Sequence, residues 1–284
     1  MRQFLKYFIV TTIVTMLMLV LLYRPAHSIG GTEIPTVAFC GPDMGDRAVA
    51  AKALESMSKM GVDVVAGRCK VPRPGYTPAT PQDRYATPGE YRQLVGLAAH
   101  YGLKVLVFDP ALSAPDRLTR AIATVDWLPY RENIWAVDLG DEFDPRVPEQ
   151  WNDLVERWHR VSDAFTPYTN HLPWADARDR AVTDLGAATF DSFYSFDEYD
   201  VDRAVWLAKE YSAQTATLMC YVNAMTTVGK TATLGSIVSD SAQLVGAGCD
   251  IIGLFGGFPV YGTDEFGTTS LVDRFGNSTM EVQL

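Results

Sequence analysis

Residues 36–66 read TVAFCGPDMGDRAVAAKALESMSKMGVDVVA, and this stretch decides the fold. The apolar run Thr36–Cys40 is typical of a buried strand. Asp46–Met60 carries apolar residues at helical spacing until Gly61 ends the helix, and Val62–Ala66 is a second short strand. A strand, a helix and a strand in this order form a βαβ unit, which places both strands parallel in one sheet.

The same alternation continues to residue 255. Thr87-Pro88-Gly89-Glu90 begins a helix, with Thr as N-cap, Pro in the first turn and Glu three residues after the cap. The pattern predicts further strands at 104–108, 134–139, 168–172, 189–194, 215–222 and 250–255, and further helices at 116–127, 148–165, 201–211 and 233–245, with only a short helix within 175–188.

Eight strands in strict alternation predict a (β/α)₈ barrel, with residues 29–284 as a single domain. An open dinucleotide-binding sheet is disfavoured because Cys40-Gly41-Pro42-Asp43 is not a Gly-rich phosphate loop. The residues after Phe255 are rich in glycine rather than helical, so an irregular C-terminal end is expected in place of the usual last helix.

Residues 1–28 are typical of a targeting segment. Arg2 and Lys6 precede an apolar run over residues 8–23, and Ala26-His27-Ser28 has the form of a signal-peptidase site. The segment is either a cleaved signal peptide or an uncleaved signal anchor, and both export the rest of the chain. The protein is therefore expected to be secreted or held at the outer face of a membrane, with membrane contact only through this segment.

The net charge of residues 29–284 limits the kinds of molecule that the protein is expected to bind. Residues 29–284 contain 21 Lys and Arg against 34 Asp and Glu. An acidic surface repels phosphate backbones and anionic lipid headgroups. Nucleic acid is therefore excluded as an expected partner.

The strongest site signal is the stretch WAVDLGDEF at residues 135–143. In a barrel of this type the site lies at the C-terminal ends of the strands. A strand that ends at Gly140 and is followed by Asp141 and Glu142 puts two carboxyl groups there. An apolar wall beside Glu142 would favour the protonated acid that proton donation requires. The alternative is that both residues are solvated loop acids or helix caps.

Gly140-Asp141-Glu142 resembles the motif of the large clan of (β/α)₈ glycoside hydrolases that includes cellulases and β-galactosidases. The resemblance implies a carbohydrate substrate and Glu142 as the acid/base. It also implies Arg68, at the end of the second strand, and Tyr194, at the end of the sixth, as site residues. The clan's nucleophile is a Glu at the end of the seventh strand, where this chain has Asn223 and no acid between Thr215 and Ser239.

Asp197 and Glu198, after the sixth strand, are candidates for the second carboxylate; the alternative is that the acids from Asp197 to Asp202 cap the helix that begins near Val201. The residues expected to contact substrate are Arg68, Asp109, Trp174, Tyr194, Asn223 and Phe255. No His-x-His or HExxH spacing indicates zinc, and no metal or cofactor is expected.

Two alternatives to a hydrolase remain open because of the missing acid. One is a non-catalytic carbohydrate-binding protein, and the other is a surface interaction protein on the same barrel. Cys40 and Cys69 end neighbouring strands, so a disulfide between them and two buried thiols are both compatible with the sequence. Cys220 and Cys249 are expected to stay unpaired, because they lie at different heights on their strands.

Overall fold

The computed structural model describes residues 34–42, 44–67, 88–108, 131–140, 142–161, 165–173, 185–186, 191–224, 232–256 and 278. Eight parallel strands form a closed barrel in chain order, with the last strand paired to the first, so the predicted (β/α)₈ fold is confirmed. The strands are β1 (Thr36–Phe39), β2 (Val64–Ala66), β3 (Lys104–Phe108), β4 (Ile134–Asp138), β5 (Thr166–His171), β6 (Phe193–Phe196), β7 (Thr217–Asn223) and β8 (Ile251–Phe255).

In the described ranges, helices follow β1, β2, β4, β6 and β7, as the sequence predicts. Asp46 and Thr233 serve as N-caps, and each side chain accepts hydrogen bonds from the first-turn N–H groups of its helix. Within the described ranges the helices are α1 (Arg47–Lys59), α2 (Pro88–His100), α3 (Glu149–Val161), α4 (Val201–Tyr211) and α5 (Leu234–Gly246), and a 3₁₀ turn (Arg131–Asn133) precedes β4.

Aliphatic and aromatic side chains fill the barrel interior. Val37, Leu106 and Met219 belong to one buried cluster inside the strands. Gly253 of β8 leaves space in this cluster, because a Cβ at that position would lie 3.0 Å from the Tyr221 ring and 3.2 Å from the Phe39 ring. The glycine therefore allows two aromatic rings to meet in the centre of the barrel.

A register shift occurs where β3 pairs with β4. Val105 pairs with Ile134 and Leu106 pairs with Ala136, so Trp135 is an extra residue in β4. A bulge of this kind re-aims the side chain of the inserted residue. The Trp135 ring stacks on Phe193 at 4.6 Å, and both rings pack against the interior cluster near the N-terminal end of the barrel.

One disulfide corrects the sequence analysis. Cys220 of β7 is bonded to Cys249, and the two Cα atoms are 5.9 Å apart. Cys249 is not part of β8: it lies in the turn before that strand, where its N–H bonds to Leu244 at the end of α5. The predicted difference in height along β7 and β8 therefore does not prevent the bond, because Cys249 reaches Cys220 from the turn. Cys40 is also disulfide-bonded, whereas Cys69 lies outside the described residues.

The sixth strand is shifted from its predicted position. It spans Phe193–Phe196 rather than 189–194, because the chain bends at Asp191 and Ser192 before it enters the sheet. Other predictions concern segments that lie wholly or mostly outside the described residues: the segment 1–28, the helix 116–127, the short helix within 175–188 and the irregular end after Phe255. None of the helices in the described ranges combines the length and apolar character needed to span a bilayer.

Candidate functional site

Four aromatic rings contact one another along one side of the C-terminal end of the barrel, from the loop after β6 through β7 and β8 to β1. Phe39 of β1 lies 4.9 Å from Tyr221 of β7, between ring centroids. Tyr199, in the loop after β6, lies 5.9 Å from Tyr221 and 5.3 Å from Phe255 of β8. Phe39, Tyr199 and Phe255 are only partly buried. We call Phe39, Tyr199, Tyr221 and Phe255 the mouth aromatics.

A chain of neutral polar groups connects three strands beside these rings. The Ser195 hydroxyl donates to Asn170 Oδ1 at 2.6 Å. Ser195 Oγ is 2.7 Å from the Tyr168 hydroxyl, which is 2.5 Å from the Tyr221 hydroxyl. Because the Ser195 proton goes to Asn170, the remaining protons run from Tyr221 to Tyr168 and from Tyr168 to Ser195. We call these four residues the polar chain.

The side chains of the polar chain point into the barrel and are buried. The residues next to them on the same strands point outward. Ser195 is fully buried, Tyr168 is 1% exposed and Tyr221 is 4% exposed. Buried polar groups that are mutually hydrogen-bonded specify one arrangement of the strands that carry them. The polar chain therefore fixes β5, β6 and β7 relative to one another beside the mouth aromatics.

The segment after β4 pairs with β5 at Gly140 and again at Phe143, and it departs from β5 between these two residues. Gly140 C=O accepts from the Asn170 N–H at 3.2 Å, and the Phe143 N–H donates to the Asn170 C=O at 3.1 Å. Phe143 also forms a parallel bridge with His171. Between these contacts Glu142 has a φ of 56°, a left-handed conformation that is uncommon for a non-glycine residue. Pairing with β5 thus continues on both sides of a short excursion that contains Glu142.

Glu142 is exposed, and this differs from the sequence analysis. The expected apolar wall does not cover its side chain, because the Phe143 ring turns away and packs at 6.3 Å from Trp151 and 5.7 Å from His171. Asp138, at the end of β4, is partly buried and its Oδ1 accepts from the Gly140 N–H at 2.9 Å. Asp138 therefore shapes the start of the excursion.

Glu198 is engaged with its own loop. Its Oε1 accepts from the N–H groups of Tyr199 and Asp200, both at 3.0 Å. Its Oε2 lies 3.1 Å from Nε of Arg203 in α4. Asp200 caps α4, as the capping alternative in the sequence analysis expects. Asp197 is partly buried, and its N–H donates to the His171 C=O at 2.8 Å.

The structure corrects the expectation for Tyr194. Its side chain is fully buried on the outside of the barrel, where its ring stacks on His171 at 4.1 Å and meets Tyr211 of α4 edge-on. Successive side chains of a strand point to opposite faces, so Ser195 faces the interior and Tyr194 faces the helices. Tyr194 is therefore a packing residue rather than part of the mouth.

His171 is at the centre of this outer aromatic layer. It also contacts Trp151 edge-on at 4.5 Å, and its Nε2 is 3.0 Å from Thr169 Oγ1. Burial lowers the pKa of His171 well below its ordinary value. Burial, together with the neighbouring Tyr211, raises the pKa of the Tyr194 hydroxyl. In the described structure, His171 Nδ1 and the Tyr194 hydroxyl have no hydrogen-bond partner.

The free energy of unfolding is expected to decrease as pH falls below about 6.5. The unfolded chain then binds a proton at His171 that the folded chain excludes, which costs up to about 1.4 kcal/mol per pH unit until the folded pKa is reached. Urea unfolding at several pH values, with His171→Gln beside the exposed His100→Gln, measures this effect. A pH dependence that is identical in the two variants would contradict the assignment to His171.

The remaining predicted residues divide into two groups. Asn223 and Phe255 end the adjacent strands β7 and β8, are partly buried and pair in register, so the fold brings them together. Their expected contact with substrate stays a prediction. Arg68, Asp109, Asp141 and Trp174 lie outside the described residues. In the described part of the chain, no group of three or more His, Cys, Asp or Glu side chains forms a candidate metal site.

No family model matches this chain, and no curated protein matches it. Solved structures match in fold. A β-galactosidase from the psychrophilic Marinomonas ef1 has a TM-score of 0.60 and 8% identity, over 86% of this chain and 57% of that one. The Ignisphaera aggregans GH53 catalytic domain has a TM-score of 0.50 and 12% identity, over 79% and 85% of the two chains.

Synthases match as well. A truncated 3-deoxy-D-arabino-heptulosonate 7-phosphate synthase from Thermotoga maritima has a TM-score of 0.43 and 11% identity, over 81% of this chain and 79% of that one. The likeness shows the fold alone. One barrel fold hosts many unrelated chemistries, so the site residues of this chain must be judged on their own chemistry.

The polar chain was not predicted from the sequence. Tyr168, Asn170 and Ser195 each look like ordinary strand residues, and their relation depends on pairing between β5 and β6. One signal was available: the predicted fifth strand contains three polar residues in the run YTNH, which is unusual for a buried barrel strand. A buried strand with so many polar groups needs partners on its neighbours.

Proposed function

We propose that this protein binds a carbohydrate at the C-terminal mouth of its barrel. The observation that carries the proposal is the group of mouth aromatics, of which Phe39, Tyr199 and Phe255 are only partly buried, beside the polar chain that fixes the strands. A sugar presents C–H groups on its faces, and these faces pack on partly exposed aromatic rings such as the mouth aromatics. The acidic balance of residues 29–284 favours a neutral sugar over an anionic one.

Isothermal titration of the full chain with cellohexaose, β-1,4-linked galactohexaose and mannohexaose tests this proposal. Tyr199→Ala is expected to weaken binding about tenfold, because it removes one exposed aromatic face from the mouth. Tyr101→Ala, which removes a ring at the end of α2, is the matched control and should bind as the unaltered chain does. Absence of binding to all three oligosaccharides, or equal affinity of the two variants, would overturn the proposal.

A second candidate function is glycoside hydrolysis, with Glu142 as the proton donor. The specific observation in its favour is the left-handed backbone of Glu142 within an excursion that β5 pairing holds on both sides. Backbone strain at non-glycine residues and strand irregularities both occur preferentially next to active sites. The likeness in fold to a β-galactosidase and a GH53 domain is compatible with this candidate but does not carry it.

Such a hydrolase needs a second carboxylate at a position other than the end of β7. The described strand β7 contains no acid, and Tyr221 and Asn223 occupy its C-terminal half. Glu198 is committed to its loop and to Arg203. Asp197 is the remaining candidate from the sequence analysis. A separation of about 5 Å between its carboxyl group and that of Glu142 suits retention, and about 6.5–9.5 Å suits inversion.

Export belongs to the same proposal. Disulfides persist in oxidising compartments, and the bonded state of Cys220, Cys249 and Cys40 supports transfer of residues 29–284 out of the cytosol. N-terminal sequencing of the mature protein distinguishes the two forms of the segment 1–28. A new terminus after Ser28 indicates a secreted protein, and an intact Met1 indicates a protein tethered to the outer face of the membrane.

A further inference from the structure

We infer that the ion pair between Glu198 and Arg203 is a clamp that positions Tyr199 as a ligand-contacting ring. This inference rests on the proposed carbohydrate site and assigns it a specific positioning device. Both charged side chains are engaged with loop backbone and with each other, so the inference assigns them a positioning role that acts through Tyr199.

The first half of the clamp fixes the backbone around Tyr199. Glu198 Oε1 accepts from the N–H groups of Tyr199 and Asp200 at 3.0 Å each. The Glu198 side chain is only 12% exposed, so these charge-assisted bonds are partly shielded from water. They define the direction in which the Tyr199 side chain leaves the loop, and its ring contacts Tyr221 and Phe255.

The second half connects two loops of the mouth. Arg203 Nε lies 3.1 Å from Glu198 Oε2, and its terminal NH2 group donates to the Pro173 C=O at 2.9 Å. Pro173 follows β5, whereas Glu198 follows β6. One guanidinium therefore holds the loops after two neighbouring strands at a fixed separation, and its planar fork of donors is suited to two such partners.

The position of Arg203 in its helix indicates that the clamp has a cost. Arg203 is the third residue of α4, where the N-terminal end of the helix dipole disfavours a cation. A side chain at a locally unfavourable position is expected where other contacts of that side chain compensate for the unfavourable interaction. Here the offsetting contacts are Glu198 and the Pro173 carbonyl, and their shared effect is the placement of the loop that carries Tyr199.

Amide hydrogen exchange of the full chain tests the clamp without any ligand. Glu198→Ala removes the two bonds to the N–H groups and the ion pair with Arg203, and should accelerate exchange at Tyr199 and Asp200 about tenfold or more. Glu198→Gln keeps an oxygen for the two N–H groups but loses the ion pair, so its effect should be smaller. Arg203→Met should resemble Glu198→Gln, and Arg203→Lys, which cannot hold both partners, should restore part of the protection.

Arg157→Met is the matched control because it breaks the Arg157–Asp153 ion pair on the outer helix α3. It should leave exchange at Tyr199 and Asp200 unchanged. Unchanged exchange at these amides in Glu198→Ala and Arg203→Met would overturn the inference. The thermal midpoint is recorded for each variant, and a positioning role predicts that it changes little.

Titration with cellohexaose and β-1,4-linked galactohexaose then tests the effect on the ligand. Arg203→Met is expected to weaken binding about as much as Tyr199→Ala, and the double variant should be no weaker than Tyr199→Ala alone. Additive losses would show that Arg203 acts independently of Tyr199 and would overturn the inference. Failure of the unaltered chain to bind rejects the proposed function, whereas the exchange data still decide whether the clamp fixes Tyr199.

Discussion

Removal of the Cys220–Cys249 disulfide is expected to lower the free energy of unfolding by about 3–4 kcal/mol. The bond closes a loop with a sequence separation of 29, and loop-closure entropy in the unfolded chain predicts a loss of this size. Cys220 is fully buried on β7, so the variant Cys220→Ala/Cys249→Ala also loses a small amount of packing. Urea unfolding of the variant and of the unaltered chain measures the difference.

Reductant provides the control for this prediction. The unaltered chain should lose at least as much stability under reducing conditions as the double variant loses under oxidising ones, because Cys40 is also disulfide-bonded. The double variant should keep part of its sensitivity to reductant for the same reason. A loss below about 1 kcal/mol in the double variant would indicate that the bond constrains the unfolded chain far less than its loop length implies.

Glu142→Gln is expected to reduce any glycoside hydrolysis by a factor of about 10²–10⁴, the usual contribution of a positioned general acid. Glutamine preserves the shape of the side chain and removes its proton, so the change tests chemistry more than folding. The assay uses aryl glycosides and polysaccharides with the full chain. Because aryl leaving groups need little protonation, the loss should be larger on polysaccharides.

The matched control for this variant lies at the other end of the same strand. Glu132→Gln alters an exposed acid in the turn before β4 and should leave hydrolysis unchanged. Equal turnover in Glu142→Gln and the unaltered chain would reject Glu142 as the proton donor. If no substrate is hydrolysed while an oligosaccharide still binds to both forms, the carbohydrate-binding proposal stands without a hydrolase.

Local signals made most of the fold predictable. The helix predicted at 201–211 has those bounds, because Asp200 supplies the cap and the apolar residues recur at helical spacing. Pro88 begins α2 as the cap sequence requires. These features depend on residues within a few positions of one another, so no knowledge of the neighbouring strands was needed.

The face of a strand was harder to predict than its existence. Residues 193–196 read FYSF, with an aromatic at three of four positions, so alternation does not distinguish the interior from the helix side. The strand begins and ends later than predicted, and in its actual register Tyr194 faces the outer layer and not the mouth. Local patterns also did not reveal that Glu198 pairs with Arg203, because the capping and catalytic interpretations use the same acids.

Contacts between distant segments were the least predictable. The polar chain joins Tyr168, Ser195 and Tyr221 across sequence separations of 27 and 53 residues. The Cys220–Cys249 bond depends on the path of the turn after α5, which the sequence pattern does not specify. Such contacts follow from barrel closure, and they carry most of the candidate site.

Gly253 affects whether a ligand can pass through the barrel. Because it lets the Phe39 and Tyr221 rings meet at the centre, and because Trp135 and Phe193 stack nearer the N-terminal end, the barrel is a packed core and not a pore. Anything that enters the mouth must leave by the same opening. If the protein is a hydrolase, product leaves through the opening that admits substrate, and any product that keeps affinity for the mouth should inhibit initial rates competitively.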